Sequence, residues 1–310
     1  MKFKELKVGT SVGVPCLIVS ITDAKARNGS AFCKLVLSDG ESTVEANYWQ
    51  RTKADLEKFL HKAAWLEVKT EEYQGNKSFI IEGIHDAPEQ FKASDFLITA
   101  PVPSNEMARY IMESLSNECP GDCLNALTTK LFKENYSKIS YYGGGKTVHN
   151  NYMGGLLYHT YRMMKSAVAL TKVYETLDKG LLLNAVALHD IGKVKELETD
   201  ELGISEYTTE GSLFGHILLG IEMIDRELYS SDAEIDAKRV MLLKHCIAAS
   251  HGDPKFGAIK TPAVPEGMIL HHLDMIDSRM DIFESAYKGA ESGEFIDSTL
   301  YTLGARAYKA

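Results

Sequence analysis

Hydrophobic and polar positions alternate along the first ninety residues, which predicts β-strands. Strand-like segments run over 12–22, 32–37, 42–49, 64–70 and 78–84, and a short helical stretch, 53–61, separates the third from the fourth. Turn signals at Asn28-Gly29, Ser38-Asp39-Gly40 and Gln74-Gly75-Asn76 separate neighbouring strands. Five strands with a helix after the third are typical of the OB-fold, a small β-barrel. We therefore expect an all-β OB-fold over residues 1–88.

The spacing of the hydrophobic positions becomes helical after a proline-containing segment that ends near residue 104. We predict helices near 105–117, 122–135, 155–177, 181–191, 213–229, 233–250, 265–289 and 297–308. These helices predict a second, all-α domain over 105–310, a helical bundle joined to the barrel by a linker over 89–104.

Composition places the chain among ordinary globular proteins, because 45% of its 310 residues are hydrophobic and 25% are charged. No apolar run approaches the roughly 20 residues that span a bilayer, so we expect no membrane partner. The opening MKFKELKVGT lacks the apolar segment of a signal peptide, and five cysteines do not form an even disulfide framework. These features predict a cytoplasmic protein. The net charge of -9 argues against binding nucleic acid by bulk electrostatics, but it leaves room for a local basic groove or a metal centre.

Four histidines and two aspartates recur at five places within apolar stretches of the predicted bundle: His159, His189 with Asp190, His216, His245 and Asp274. One such histidine is usually a hydrogen-bonded core residue, and His189 could simply end a helix. Five such positions together are hard to explain in that way, because buried imidazoles and carboxylates are costly without a partner. A divalent cation would supply one, and imidazole with carboxylate suits Mn, Fe, Co, Ni or Zn. Asp190 is placed to bridge two such ions.

His159, His189-Asp190 and Asp274 match, in order and rough spacing, the H…HD…D signature of the HD-domain metal-dependent phosphohydrolases. The bare His85-Asp86 pair carries no such weight. Three longer segments, GSAFCKLVLSDGESTVEANYW, KTVHNNYMGGLLYHT and SHGDPKFGAIKTPAVPEGMILHHLDMIDSRM, resemble the bacterial YhaM-type 3'-to-5' exoribonucleases. The resemblance covers nearly the whole chain, including the domain order. It implies metal-dependent hydrolysis of single-stranded RNA from the 3' end, with single-stranded DNA left open as a substrate.

The resemblance also implies roles for individual residues. One metal would be held by His159, His189, Asp190 and Asp274, and a second by Asp190, His216 and His245; the ions would be Mn, Co, Fe or Mg. Asp190, Lys193 and His251 would be the catalytic groups. In these roles Lys193 faces the scissile phosphate, and His251 is a further ligand or a phosphate contact. Two departures from the family pattern are Ser250, in place of a second adjacent histidine, and Tyr158, in place of an acidic residue.

Aromatic and basic residues of the predicted barrel are candidates for nucleic-acid binding, because rings stack on bases and cations contact phosphates. The set comprises Phe32, Lys34, Trp49, Arg51 and Lys77, with Tyr48, Tyr73, Phe79, Lys25 and Arg27 as weaker candidates. Since Tyr48 and Trp49 are adjacent in a strand, at most one of them lies on the binding surface. In the second domain, Lys146 and His149 follow a glycine-rich loop and are further candidates.

Two other motifs have simpler interpretations. Cys119 and Cys123 have no second ligand pair nearby, so we expect a turn between helices there. The acidic run 196–201 is expected to form a solvated loop.

Two alternative functions stay open. An HD phosphohydrolase could act on a mononucleotide or cyclic nucleotide with a regulatory OB domain, or the HD domain could be structural in a non-catalytic nucleic-acid-binding protein. Assembly into a homo-oligomer is a further hypothesis.

Overall fold

The computed structural model describes residues 2–26, 29–73, 76–145, 152–230, 235–287, 290–300 and 304–310. The chain divides into two compact units. The first comprises Met1–Ile98 together with Phe283–Ala310, and the second is Thr99–Ile282.

The first unit contains a closed barrel with strand order β1-β2-β3-β5-β4. Its strands are β1 (Ser11–Lys25), β2 (Ala31–Ser38), β3 (Thr43–Trp49), β4 (Ala63–Tyr73) and β5 (Asn76–Asp86). Helix α1 (Lys53–Leu56) and a 3-10 turn, Glu57–Phe59, lie between β3 and β4. Neighbouring strands are antiparallel except β3 and β5, which pair in parallel with Ala46 opposite Phe79. This is the OB-fold, and the predicted order of five strands and one helix is confirmed.

Alternation along the strands places one set of side chains inside the barrel. On β2 the buried Cys33, Leu35 and Leu37 alternate with Phe32, Lys34 and Val36, which face outward. Phe3 of the 3-10 turn Phe3–Glu5 is also buried in this core, where its ring packs against Phe79. A one-residue shift in register would expose this whole apolar set, so the alternation specifies the strand pairing.

The second unit is predominantly helical. Its helices are α2 (Ser104–Glu118), α3 (Leu124–Glu134), α4 (Tyr136–Ile139), α5 (Gly155–Val173), α6 (Lys179–Leu188), α7 (Lys193–Glu196), α8 (Thr209–Ser230), α9 (Ala237–Ala248) and α10 (Pro265–Tyr287), the last of which extends past the unit boundary. A small hairpin, β6 (Leu197–Thr199) with β7 (Ser205–Tyr207), follows α7. Cys119 and Cys123 flank the turn between α2 and α3, as predicted.

Helix α6 is the central helix of this unit. Every residue from Gly180 to Leu188 is buried, and the helix packs against α2, α3, α5 and α9. Asp178 caps its first turn by accepting a hydrogen bond from the Leu181 amide at 2.9 Å. An apolar helix without a polar face can be stable in water only when it is surrounded in this way. Its C-terminal end is therefore deep inside the protein.

The predicted helix near 297–308 is wrong. This segment forms an antiparallel hairpin of β8 (Glu294–Leu300) and β9 (Ala305–Lys309). Gly304 has a φ of +60°, in the left-handed region that suits a turn between strands rather than a helix. The hairpin groups with the barrel, so the helical unit ends at residue 282 rather than 310. Within the described residues, no helix combines the length and the apolar character that a bilayer crossing requires.

A candidate metal centre at the end of helix α6

His189 and Asp190 lie just beyond α6 and are almost completely buried, with 1% and 5% of their surfaces exposed. The His189 Nδ1–H donates a hydrogen bond to the Val186 carbonyl at 2.9 Å, which leaves Nε2 as the ring's ligand atom. A carboxylate at this depth needs cationic partners, because burial strongly disfavours an unpaired charge.

Two further helices bring ligand atoms to the same point. His159 of α5 has its Nε2 at 3.3 Å from His189 Nε2 and 3.4 Å from Asp274 Oδ1 of α10. One donor atom from each of these three residues lies within 4.8 Å of the other two. Asp190 Oδ2 lies 3.4 Å from His189 Nε2. The structure thus collects the four residues assigned to the first metal, and two imidazoles with two carboxylates suit a divalent transition metal.

Asp277 orients His159, a relationship that the sequence analysis missed. Its carboxylate accepts a hydrogen bond from His159 Nδ1 at 2.7 Å and pairs with Arg162 Nε at 2.6 Å. Its position three residues after Asp274 places both carboxylates on one face of α10, and that spacing was the available signal. Burial lowers the pKa of His159, but hydrogen bonds to Asp274 and Asp277 outweigh it and raise the pKa to about 10. The Asp274 carboxylate beside His159 Nε2 would also favour a divalent cation at this point.

A second group of ligand atoms surrounds the other oxygen of Asp190. His216 Nε2 lies 3.5 Å from Asp190 Oδ1, and among the described residues this buried nitrogen has no hydrogen-bond partner. His216 Nδ1 donates to Glu196 Oε1 at 3.0 Å, and the His216 amide donates to the same oxygen. Buried polar atoms normally have a partner, so this free nitrogen beside a carboxylate indicates a position where a metal ion could bind.

Glu196 corrects the expectation of a solvated acidic loop over 196–201. It is buried at the end of α7 and holds the His216 ring. Burial raises its pKa, but the hydrogen bond from His216 outweighs burial and lowers the pKa below the ordinary value. Sequence reasoning missed this residue because its partner lies 20 positions away on another helix.

The glycine of the HDIGK segment allows α8 to approach this point. A Cβ on Gly192 would lie 1.9 Å from the His216 carbonyl oxygen and 2.6 Å from the Gly220 amide. Gly215 interrupts α8 with a φ of 70°, immediately before His216. The two glycines therefore permit the backbone geometry that brings His216 next to Asp190.

Lys193 is buried and forms an ion pair with Asp190. Its Nζ donates to Asp190 Oδ2 at 2.7 Å and to the Gly144 carbonyl. Burial raises the pKa of Asp190, but Lys193 and the neighbouring imidazoles hold it well below its usual range. Lys193 thus stabilises the Asp190 carboxylate, and its contact with the scissile phosphate stays a prediction.

The remaining predicted histidines are placed differently from each other. His251 lies beside His216, with 5.2 Å between ring centroids, and its Nδ1 donates to the Phe256 carbonyl at 3.1 Å. Burial, together with the positive potential of His216, lowers the pKa of His251, which favours the neutral ring.

His245 is not brought into the centre: its Nε2 accepts a hydrogen bond from the Ala263 amide at 2.9 Å, and among the described residues it pairs with neither Asp190 nor His216.

On the barrel, Phe32 and Trp49 form an outward-facing pair across β2 and β3. Their ring centroids are 4.8 Å apart and Trp49 is 41% exposed. Lys34 lies on the same face and pairs with Glu45 at 2.9 Å. Tyr48 packs against the barrel core, as its adjacency to Trp49 predicts.

The other binding candidates on the barrel are less available. The Arg51 guanidinium stacks on Tyr48, and Lys77 Nζ donates a hydrogen bond to the Leu6 carbonyl. Phe79 is buried in the core, so the prediction that it is a candidate for the binding surface is wrong. Lys146, His149 and Arg27 lie outside the described residues.

Fold and site together define an HD-domain protein with an OB-fold barrel, and the HD domain family model matches residues 156–284. The chain is 32% identical over 309 residues to the 3'-5' exoribonuclease YhaM of Bacillus velezensis, covering 98% of this chain and 96% of the relative. It is 31% identical to the protein of that name from Bacillus subtilis, with the same coverage, and 32% identical to that of Halalkalibacterium halodurans over 93% and 90% of the two chains. The chain belongs to the family of the 3'-5' exoribonuclease YhaM.

Proposed function

We propose that this protein is a metal-dependent 3'-to-5' exoribonuclease that shortens single-stranded RNA by hydrolysing its phosphodiester bonds. The observation that carries the proposal is the buried cluster of His159, His189 and Asp274 around Asp190, in a chain that matches its family over nearly its full length. We propose two ions in this centre, drawn from Mn, Co, Fe or Mg.

The first ion would be held by His159, His189, Asp190 and Asp274, and the second by Asp190 and His216, with His251 in place of His245. The donor atoms fit such ions, since His216 Nε2 is buried and unpartnered among the described residues, and the surroundings of His159 favour a cation. When bound, divalent ions polarise the phosphoryl group and activate a water for attack.

The protein's own groups prepare this centre. Asp277 and Glu196 hold the two imidazoles by their Nδ1 atoms, which keeps the Nε2 atoms directed at the ligand positions. Lys193 fixes the Asp190 carboxylate between both groups of ligands. His251 donates its Nδ1 proton to the Phe256 carbonyl, so its Nε2 is the atom left to contact an ion or the substrate.

The barrel would bind the RNA strand. Phe32 and Trp49 offer adjacent ring faces, and stacking on them does not depend on base identity. Lys34 lies on the same face as a cation for phosphate, while Arg51, Lys77, Lys146 and His149 remain candidates for further contacts.

We infer a cytoplasmic location, which is supported by five free cysteines, since disulfides are rare there. Homo-oligomerisation stays a prediction, to be tested by light scattering.

The decisive experiment uses the full chain with single-stranded RNA labelled at the 5' or the 3' end. With Mn²⁺, the wild type is expected to shorten the 5'-labelled strand stepwise and to release the 3' label first. Asp190→Ala or a chelator should abolish the reaction, and a DNA strand of the same sequence reports sugar preference. Intact RNA in the presence of bound metal would contradict the proposal and favour a small nucleotide as the substrate.

A further inference from the structure

An exposed aromatic side chain lies on the loop that carries His251. Phe256 ends the 3-10 turn Pro254–Phe256 and is 72% exposed. Its carbonyl nevertheless accepts the hydrogen bond from His251 Nδ1, which links its backbone to a residue beside the candidate metal centre. This loop therefore leaves a large apolar ring exposed to water near His251. Exposure of such a ring is unfavourable, because burial would remove its apolar surface from water.

The loop is built to hold this ring in one place. Asp253 starts the turn by accepting a hydrogen bond from the Lys255 amide at 2.8 Å, and Gly257 ends it with a φ of +96°. Gly252 has a φ of +73°, and a Cβ there would lie 2.4 Å from His271 Nε2 of α10. The His271 Nδ1 in turn donates to the Ser250 carbonyl at 3.0 Å. A loop backbone packed this closely on α10 places the attachment point of the Phe256 side chain before any ligand binds.

A cavity of about 510 Å³ opens next to the ring. Its volume lies within the range of roughly 300–1,000 Å³ that is common for small-molecule sites. Flat and apolar surfaces line it, including Phe256, Pro262, Met268, His271 and His272. Its lining begins at Gly252, the residue that follows His251 in the chain, and the His251 ring centroid is 5.2 Å from that of His216.

We propose that this cavity is a nucleobase subsite, in which Phe256 stacks on the base of a nucleotide adjoining the scissile phosphate. The inference rests on the proposed exonuclease function and names where one base of the substrate binds. Every base has a π-face, so an aromatic platform suits an enzyme that must accept each nucleotide in turn. The exposed Lys255 and Lys260 of the same loop add positive charge for a polyanionic strand.

The test is a double-mutant cycle between the protein and the RNA. Wild type, Phe256→Ala and Phe256→Tyr are compared on matched oligonucleotides, either intact or carrying an abasic residue at one of the two 3'-terminal positions. For the wild type, removing the stacked base is expected to lower kcat/KM roughly 5- to 150-fold. Phe256→Ala should lose a similar factor on intact RNA and show no further loss on the abasic strand, whereas Phe256→Tyr should behave like the wild type.

Ile259→Ala is the matched control, since Ile259 is 52% exposed on the same loop and does not line the cavity. Calorimetric Mn²⁺ binding should be the same for all variants and reports an intact centre. Equal losses for Phe256→Ala on intact and abasic RNA would overturn the subsite. The subsite would also be overturned if Phe256→Ala had a smaller molecular mass in solution than the wild type and the same RNA kinetics. That result would assign Phe256 to a contact between copies of the chain. Intact RNA with the wild type would refute the exonuclease function itself, together with the subsite.

Discussion

The carboxylate of Asp277 accepts the Nδ1 proton of His159 over 2.7 Å, so the ring of a candidate metal ligand is held by a side chain that is not itself in the ligand cluster. Such carboxylate–histidine pairs fix the orientation and increase the basicity of the ligand nitrogen. We therefore expect Asp277→Asn to weaken Mn²⁺ binding by about 10- to 100-fold. Isothermal titration calorimetry on the full chain measures this, with the exposed Glu210→Gln as control. Equal affinities would show that Asp277 is not needed to position His159.

Glu196→Gln should act on the other group of ligands. Because Glu196 holds His216, we expect weaker binding of a second Mn²⁺ ion, with the first binding step retained. His216→Ala should remove the second step altogether, since it deletes the unpartnered Nε2. Electron paramagnetic resonance titration separates the two steps. A single step in the wild type would contradict two ions, and loss of both steps in Glu196→Gln would contradict the division into two ligand groups.

Gly192→Ala should destabilise the protein, because the new methyl group would overlap the His216 carbonyl. Overpacking of this kind costs about 1–3 kcal/mol. Thermal unfolding measures the change. Gly145→Ala is a suitable control, since no heavy atom lies within 4 Å of an added Cβ and its φ is not in the left-handed region. An unchanged Tm for Gly192→Ala would mean that α8 can move away without cost.

Arg239 pairs with Asp122 and Asp178, and Asp178 also caps α6. Replacing Arg239 by Met leaves both carboxylates without their cation, at a cost of about 1–3 kcal/mol, with the lower end favoured because Asp178 is partly exposed. Burial raises the pKa of Asp178, but Arg239 and the Leu181 amide outweigh it and lower the pKa. Its contribution to stability is therefore complete above the unfolded-state pKa of about 3.9 and declines as the pH falls towards the folded-state value.

Urea unfolding of Arg239→Met at pH 7 and near pH 3 tests this sign. The difference in stability between wild type and variant should be largest at pH 7 and should shrink in acid. The exposed Arg279→Met provides the control. A difference that grows in acid would contradict the stated role of Asp178.

Trp49→Ala should weaken binding of single-stranded RNA, because it removes one ring of the exposed pair on the barrel. The expected loss is roughly 1–3 kcal/mol, and Trp49→Phe should retain most of the affinity. Fluorescence anisotropy in the presence of chelator measures binding without hydrolysis. Duplex RNA is the matched control ligand, since its bases are already stacked. Equal losses for duplex and single strand would indicate a non-specific effect on the barrel.

Local patterns in the sequence determined much of this protein. Strand alternation and helical spacing depend on neighbours within a few residues, so the barrel strands and the helices α2, α3, α5, α6, α8, α9 and α10 could be predicted before any packing was known. The one-turn helices α4 and α7 were not predicted, because four residues are too few to show a helical period. The same local character explains the failure at 294–309, where short apolar spacings fit a helix and only the turn at Gly304 distinguishes a hairpin. His159, His189, Asp190 and Asp274 could be singled out as candidate ligands because polar groups of this type stand out in apolar helices.

The tertiary structure alone decided which distant side chains meet. Glu196 meets His216 and Asp277 meets His159 because α7, α8, α5 and α10 converge on the end of α6, across separations in sequence that no local pattern encodes. The same packing placed His251 beside His216, turned His245 to the Ala263 amide and directed Lys193 onto Asp190. Residue type reveals which groups can bind a metal, whereas the positions of their atoms depend on how the helices pack, and packing is a property of the whole core.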